Sequence, residues 1–357
     1  MFDYNRDLGQ NIFMKNNKQK TILVTGGAGF IGSNFVRYWQ THYPKDFITI
    51  LDSLSYAGQE KNLDEFKKNS RISFVKGDIC NKNLVDSLVK NKELLFHFAA
   101  ETHVDRSIAN SQIFLQTNIL GTQVLLESSK LNKVKKFVFI STDEVYGSIK
   151  KGHFREDSHL QPNSPYAASK ASADLLCRAY WKTFSLPILV TRCCNNFGHY
   201  QFPEKVIPLF ITNLIEGKKI PIYGNGRNVR EWIYVLDHCK AIDLISKKGK
   251  LGEIYNIGTN FEISNIELAK TLLQFFNKEP QALDFVQDRL GHDFRYSLDS
   301  SKLRKLGWKP EYNFKQALEK TVHWYKKNSS WWKELKESKK FKNYYKSNYH
   351  SDSKGIH

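Results

Sequence analysis

Short apolar runs alternate with amphipathic stretches over residues 20–190 of the chain. The apolar runs have the length of buried strands, and the stretches between them repeat apolar positions every three or four residues, as helices do. This alternation predicts an α/β fold in which a doubly wound parallel sheet of the Rossmann type is covered by helices on both faces. The predicted strands are residues 21–25, 48–52, 73–76, 94–98, 137–141 and 188–191, and the predicted helices are residues 31–41, 82–89, 113–131 and 164–184.

The pattern changes after residue 196 to short helices, isolated strands and Gly/Asn turns such as residues 223–226. Such a mixture predicts a smaller, mixed α/β C-terminal lobe. We therefore divide the chain into a flexible leader (1–19), a Rossmann domain that includes the reactive residues (20–196), a smaller lobe (197–328) and a basic, aromatic tail (329–357). A ligand is expected between the domain and the lobe.

The composition is that of a folded globular protein, with 41% apolar and 25% charged residues. The apolar runs are far shorter than the roughly 18 residues of a membrane-spanning helix. The polar first twenty residues lack the continuous apolar region of a secretory signal. Five cysteines without a CxxC pair suit neither a disulfide framework nor a zinc site. We expect a cytoplasmic protein with no membrane partner and no metal.

The chain carries 54 Lys and Arg against 36 acids, a formal net charge of +18. Such a charge attracts polyanions, which include a phosphate-bearing cofactor, a phosphorylated substrate and nucleic acid. The sequence contains no Arg-rich helix, no RNA-binding aromatic motif and no zinc-finger spacing. We interpret most of the excess as solvated surface Lys and expect no nucleic-acid partner.

A glycine motif, Gly26, Gly29 and Gly32, follows the first predicted strand and opens the first predicted helix. These glycines permit a tight turn, a close approach of pyrophosphate to the backbone, and close packing of helix on strand. Asp52 ends the second strand, where a carboxylate binds the adenosine ribose and repels a 2′-phosphate. This arrangement predicts NAD rather than NADP, whereas the glycines alone would also fit a simple tight turn. The other predicted cofactor contacts are Phe30, Ile31, Asp78, Ile79, Ala99, Ala100 and Thr117.

Two groups of reactive residues lie downstream. Tyr166 and Lys170 are four apart on a predicted helix and share a face. A nearby ammonium and an oxidised nicotinamide lower the pKa of a phenol, so Tyr166 can act as a base. Thr142, Asp143 and Glu144 follow the fifth strand, at the edge where such sheets bind ligands. Hydride transfer needs only the hydroxyl, so the two acids predict a second proton-transfer task, with a helix cap or solvated turn as the alternative.

These motifs together resemble those of the extended short-chain dehydrogenase/reductases, and among them the nucleotide-sugar 4,6-dehydratases. The resemblance extends from about residue 20 to residue 325. It includes residues 54–58, 99–107, 200–205, 230–232, 255–258 and 291–293. It implies an NAD-dependent lyase that acts on a nucleotide-activated glucose, most closely dTDP-glucose. Such an enzyme oxidises carbon 4, eliminates water across carbons 5 and 6, and returns the hydride to carbon 6.

The resemblance also implies a role for each reactive residue. Glu144 removes the proton on carbon 5, Asp143 protonates the departing hydroxyl, Thr142 hydrogen-bonds the oxygen on carbon 4, and Tyr166 with Lys170 performs the first oxidation. Residues 20–196 then bind NAD, and residues 197–328 mainly bind the nucleotide sugar. The implied substrate contacts are Thr102, Asn195 or Asn196, Lys205, Tyr223, Arg230, Asn265, Arg289 and His292. The cations in this set suit a diphosphate, because they are charge-assisted hydrogen-bond donors.

Three alternatives stay open. Leu290 and Phe294 depart from the usual pattern in a loop expected to contact the nucleotide, so a UDP-sugar remains possible. A 4-epimerase or decarboxylase of the same fold would oxidise carbon 4 without losing water from carbon 6, and the Asp143 and Glu144 pair argues against both. A nucleotide-sensing or nucleic-acid-binding module would not need the intact catalytic residues. The resemblance further implies a homodimer that forms through helices 113–131 and 164–184.

Overall fold

The computed structural model describes residues 19–349. The predicted leader, apart from residue 19, and the last eight residues of the predicted tail lie outside the described residues. Within that range the largest sheet has seven parallel strands in the spatial order β3-β2-β1-β4-β5-β6-β10. These strands are β1 (Thr21–Thr25), β2 (Phe47–Asp52), β3 (Ile72–Lys76), β4 (Leu94–His97), β5 (Lys136–Thr142), β6 (Ile188–Cys193) and β10 (Ile254–Ile257).

Helices cover both faces of this sheet and build the smaller lobe. In chain order they are α1 (Phe30–His42), α2 (Lys82–Val89), α3 (Val104–Ala109), α4 (Gln112–Phe114), α5 (Thr122–Leu131), α6 (Pro165–Phe184), α7 (Val206–Ile215), α8 (Val235–Lys248), α9 (Asn265–Phe275), α10 (Ser301–Lys305), α11 (Phe314–Lys327), α12 (Ser329–Glu337) and α13 (Lys339–Tyr349). The short 3₁₀ helices are Glu60–Phe66, Asp143–Tyr146 and Pro280–Ala282.

The predicted fold class is confirmed, and each of the six predicted strands is present with ends shifted by at most two residues. The sheet has one strand more than the six predicted. This seventh strand, β10, pairs in parallel with β6. This strand comes from the region assigned to the smaller lobe, and α8 from the same region packs against α1. Four residues, Ile-Tyr-Asn-Ile, are too short a run to stand out as a strand. The division at residue 196 stays a prediction, since the sheet takes a strand from beyond it.

Alternation along the strands divides the core into two layers. On β1, Ile22 and Val24 join one apolar cluster and Leu23 joins the other. All three are at most 1% exposed. Successive side chains of a strand point to opposite faces, so a sheet with helices on both sides buries every apolar position. Burial on both faces leaves the ends of the strands as the place where polar groups can meet a ligand.

The predicted helix 113–131 is not a uniform α-helix. A π-helical segment, Leu115–Gly121, separates α4 from α5. The Asn118 side chain inside it accepts a hydrogen bond from Glu101 N at 2.9 Å and donates one to Glu101 O at 3.0 Å. Such wider turns occur often at functional sites. Here the segment brings Thr117 to the cavity described below.

Residues 195–286 also form a three-stranded sheet, β11-β9-β7, and a two-stranded sheet, β12-β8. These strands are β7 (Asn195–Phe197), β8 (Ile220–Tyr223), β9 (Val229–Tyr234), β11 (Glu262–Ser264) and β12 (Leu283–Val286). The part of the predicted tail that the structure describes forms α12 and α13, which bury Trp332 and Phe341 in the core. No helix within residues 19–349 combines the length and the apolarity needed to cross a bilayer.

Candidate active site

A cavity of about 600 Å³ extends from the glycine turn after β1 to the smaller lobe. It lies at the carboxyl ends of the parallel strands, where open α/β sheets bind ligands. All but one of the residues predicted for cofactor, substrate or catalysis line this cavity. The exception is Asp143, which is 1% exposed.

The glycine turn has the backbone geometry that the motif predicts. Gly26 adopts φ +70°, and a Cβ there would lie 2.5 Å from the backbone nitrogen of Ala99. At Gly32 a Cβ would meet the carbonyl oxygen of Gly26 at 2.2 Å. Among the described residues no side chain caps α1, and its first turn carries no acid. The exposed N–H groups and the positive end of the helix dipole therefore fit the pyrophosphate of a dinucleotide.

Asp52 faces the same cavity and also shapes the loops around it. Its carboxylate accepts hydrogen bonds from Ala28 N at 3.0 Å and from Leu54 N at 2.8 Å. Burial raises the pKa of Asp52, and the backbone N–H groups oppose that shift. The sequence predicts a contact with ribose at this position, and the structure adds a role in holding the glycine turn.

The loop after β5 combines a helix cap with the reactive residues. The Thr142 hydroxyl accepts a hydrogen bond from Glu144 N at 3.3 Å and so begins the 3₁₀ helix Asp143–Tyr146. The same hydroxyl donates to Asp143 Oδ1 at 3.1 Å. The other oxygen, Oδ2, is buried with no hydrogen-bond partner among the described residues. The cap considered as an alternative from sequence is therefore present together with the cavity-lining positions of Thr142 and Glu144.

The two acids have different electrostatic surroundings. Burial raises the pKa of Asp143 well above its ordinary value, and Glu144 and Glu231 add to the shift. Burial also raises the pKa of Glu144, but Arg289, Lys205 and Arg230 oppose the rise. Arg230 and a hydrogen bond with Thr142 oppose the rise at Asp143, whereas three cations oppose it at Glu144, so Asp143 stays protonated more readily. Asp143 is thus the better proton donor and Glu144 the better acceptor.

Tyr166 and Lys170 share one face of α6, as their spacing predicts. Lys170 Nζ donates to the carbonyl oxygen of Ile140 at 2.7 Å, and burial lowers its pKa to about 8. Burial and the charge of Glu144 raise the pKa of Tyr166, while a hydrogen bond with Thr142 opposes the rise. In the protein itself, desolvation of the phenolate outweighs the nearby polar groups. The lowering of this pKa by Lys170 together with oxidised nicotinamide stays a prediction.

Three predicted cations hold fixed positions on the substrate side. Lys205 Nζ donates to Thr102 O at 2.9 Å, and Arg230 donates to Asp293 O at 3.0 Å. Arg289 forms an ion pair with Asp105 at 3.2 Å. All three lower the pKa of Glu144, so their charges converge on one part of the cavity. This convergence fits a diphosphate beside Glu144.

The Asn pair divides into two environments. Both residues line the cavity. The Asn196 amide donates to Cys194 O at 3.0 Å, and its oxygen lies 2.8 Å from His238 Nδ1. Asn196 therefore braces the end of β6 from within, so a ligand contact falls more readily to Asn195.

Some cavity residues were not predicted from sequence. Tyr56 and Glu101 line the cavity, and they lie in segments 54–58 and 99–107, for which the family resemblance implied no role of these two residues. Phe210 also lines the cavity, and it belongs to an apolar helix with no distinguishing pattern. Tyr344 and Tyr349 lie in the segment predicted as a tail. Only its aromatic content could have drawn attention to these two residues, because spacing along one helix does not reveal a contact with a distant loop.

The fold and the site define an extended short-chain dehydrogenase/reductase with a dinucleotide site and an acid pair beside a Tyr/Lys pair. The family model described as GDP-mannose 4,6 dehydratase matches residues 23–321. The chain belongs to this family. A dTDP-glucose 4,6-dehydratase from Streptomyces niveus is 49% identical over 320 residues, which cover 88% of this chain and 95% of that protein.

Solved structures agree with this assignment. The dTDP-glucose 4,6-dehydratase DesIV from Streptomyces venezuelae, solved with NAD bound, is 49% identical with a TM-score of 0.87, covering 88% of this chain and 99% of that one. A UDP-glucose 4-epimerase from Thermotoga maritima is 30% identical with a TM-score of 0.81, covering 87% and 99%. The cofactor predicted from sequence, NAD, is confirmed.

Proposed function

We propose that the protein is an NAD-dependent hydro-lyase that converts dTDP-glucose into its 4-keto-6-deoxy derivative. The observation that carries this proposal is the pair of neighbouring acids, Asp143 and Glu144, whose surroundings favour proton donation by one and acceptance by the other. The relatives named dTDP-glucose 4,6-dehydratase, at 49% identity, support thymidine as the base.

The chain's residues perform four tasks in this reaction. NAD would be held by the glycine turn and Asp52, and it would supply the hydride acceptor for carbon 4 and the hydride donor for carbon 6. Tyr166 takes the proton of the hydroxyl on carbon 4, and Thr142 holds that oxygen by a hydrogen bond. The resulting ketone acidifies the hydrogen on carbon 5, so Glu144 can remove it as a general base. Asp143 gives its proton to the hydroxyl that leaves carbon 6 as water. Glu144 then returns its proton to carbon 5 as the hydride adds to carbon 6.

The acid role sets one geometric requirement. Asp143 hydrogen-bonds Thr142, which lines the cavity, but its own side chain is buried behind that residue. Its unpartnered Oδ2 must therefore turn toward the cavity when substrate binds. This rotation would give the oxygen a hydrogen-bond partner and so relieve the cost of an unpaired buried polar atom, which is about 1–3 kcal/mol.

The 4-epimerase alternative shares the fold and the oxidation at carbon 4. It has no use for a general acid beside the base, because no hydroxyl leaves carbon 6. The acid pair therefore favours dehydration, and the higher identity to dehydratases than to the epimerase supports the same choice. A UDP-sugar in place of dTDP-glucose is the alternative that the assay below separates.

We also propose that the enzyme is a cytoplasmic homodimer. Large apolar side chains are exposed on the helical residues 112–131 and on α6, among them Leu120 at 58% and Leu175 at 55%. These helices pack against each other, and exposed apolar side chains on neighbouring helices favour a protein interface there. Light scattering should give a dimer for wild type and a monomer for Leu120→Arg with Leu175→Arg. Phe285→Arg, at a position 58% exposed on the smaller lobe, is the control that should stay dimeric.

The proposed activity is tested by incubating the purified protein with dTDP-glucose and, separately, with UDP-glucose. We expect a 4-keto-6-deoxy product from dTDP-glucose and NAD that stays bound between turnovers. Inversion at carbon 4 with an unchanged carbon 6 would identify an epimerase. Faster turnover of UDP-glucose than of dTDP-glucose would show that the preferred base is uridine and not thymidine. No turnover of either sugar would contradict an enzymatic role with these substrates.

A further inference from the structure

The C-terminal helix α13 lies beyond the residues that the family model matches, which end at 321. It nevertheless supplies Tyr344 and Tyr349 to the wall of the cavity. Tyr344 is 7% exposed, so its ring is packed rather than solvated. A segment outside the family core therefore forms part of the substrate site.

Tyr344 packs against residues 103–106, at the start of α3. Its hydroxyl donates to Asp105 Oδ2 at 2.8 Å. The edge of its ring packs on the His103 ring with centroids 4.9 Å apart, and the Arg106 guanidinium lies 5.2 Å from its ring centroid. Arg106 is itself held by a forked ion pair with Glu204. The helix is thus anchored by one hydroxyl and by packing against a braced cation.

The same carboxylate of Asp105 holds other parts of the cavity wall. Its Oδ1 accepts from Arg289 at 3.2 Å, and its Oδ2 also accepts from the Tyr223 hydroxyl at 3.3 Å. Asp105 is 8% exposed as a side chain, so these hydrogen bonds form away from bulk water. One buried acid therefore joins the C-terminal helix, the loop that carries Arg289 and the end of β8.

We propose that Asp105 and Tyr344 are positioning residues for the nucleotide diphosphate, with Tyr344 anchoring the C-terminal helix and Asp105 holding Arg289 toward the cavity. This inference rests on the proposed function, in which Arg289 binds the diphosphate. Hydrogen bonds to a charged group are stronger than those between neutral groups, and each one orients the carboxylate. Loss of the Tyr344 hydroxyl leaves Asp105 freer to rotate and Arg289 less well placed.

The effect is expected on substrate binding and not on the chemical step, because neither residue contacts the reacting carbons. We expect Tyr344→Phe to raise KM about tenfold with kcat within twofold of wild type. A tenfold change corresponds to about 1.4 kcal/mol. Asp105→Asn removes the charge that holds Arg289 as well, and it should raise KM further than Tyr344→Phe.

The next residue on the same helix offers a matched control. The Tyr345 hydroxyl accepts a hydrogen bond at 3.2 Å from Nδ2 of Asn213, which lies on α7 and not among the cavity-lining residues. Tyr345→Phe deletes the same atom and should leave KM for dTDP-glucose near the wild-type value. An unchanged KM in Tyr344→Phe, or an equal rise in both variants, would overturn the positioning role.

Hydrogen exchange of the NAD-bound protein without sugar gives a second measurement that does not depend on activity. Residues 339–349 should exchange faster in Tyr344→Phe than in Tyr345→Phe, and equal exchange would overturn the anchoring. If wild type turns over neither nucleotide sugar, the proposed function fails while the exchange data still decide whether Tyr344 anchors the helix. If wild type is active and KM does not respond, the inference alone fails.

Discussion

Replacement of Asp143 by Asn separates the two halves of the proposed reaction. The substitution keeps the shape of the side chain and its contact with the Thr142 hydroxyl, which lies 3.1 Å from Oδ1. It removes the proton that burial and the charges of Glu144 and Glu231 keep on the carboxyl group by raising its pKa. Oxidation at carbon 4 uses Tyr166 and does not need this proton.

The magnitude follows from the role. Loss of a positioned general acid costs about 10²- to 10⁴-fold, which corresponds to about 3–5 kcal/mol of activation free energy. We therefore expect elimination in Asp143→Asn to slow by at least two orders of magnitude and oxidation to slow by less than about tenfold. The reduced cofactor should accumulate, because it forms at nearly the normal rate and is consumed only after water has left.

A single-turnover experiment measures both steps. The absorbance of the reduced nicotinamide reports oxidation and its reversal, and chemical quenching reports the 4-keto-6-deoxy product. Asp157→Asn is the control for the same chemical change, since the Asp157 side chain is 79% exposed. Elimination at the wild-type rate in Asp143→Asn would remove Asp143 from the acid role. Equal slowing of both steps would show that the residue supports the site and does not donate the proton.

Three further predictions test other parts of the site. Tyr166→Phe should lower both oxidation and elimination by at least 10²-fold, because the proton of the hydroxyl on carbon 4 cannot leave. In the same single-turnover assay no reduced cofactor should appear, and its accumulation would contradict the base role. Burial lowers the pKa of Lys170 to about 8, so the ammonium is present below about pH 8 and is lost as the pH rises above it. We therefore expect kcat/KM to fall above about pH 8. A profile that stays flat to higher pH would contradict a need for the charge. Gly26→Ala should abolish NAD retention and lower Tm, because its Cβ would lie 2.5 Å from Ala99 N. Gly152→Ala, with φ +81° and no atom within 4 Å, carries the backbone strain without the clash, and equal losses in both variants, measured as bound NAD per chain, would refute the steric argument.

Local patterns in the sequence predicted the parts of the site that depend on short spacings. Gly26, Gly29 and Gly32 act within one turn, and Tyr166 and Lys170 act within one helix, so their geometry follows from residues a few positions apart. The alternation of apolar runs likewise predicted the doubly wound sheet. The seventh strand was missed because its four residues carry no periodic signal, although the sheet accepts them beside β6.

Tertiary structure decided what depends on distant residues and on burial. The order of the two pKa values at Asp143 and Glu144 follows from which cations reach Glu144, and those cations come from separate segments of the smaller lobe. The contact of Tyr344 with Asp105 joins positions more than two hundred residues apart. Periodicity indicates which face of an element is apolar, whereas only packing decides which faces meet. The sequence therefore determined which reactive side chains lie close together along the chain, and the tertiary structure determined which distant charges set their pKa values.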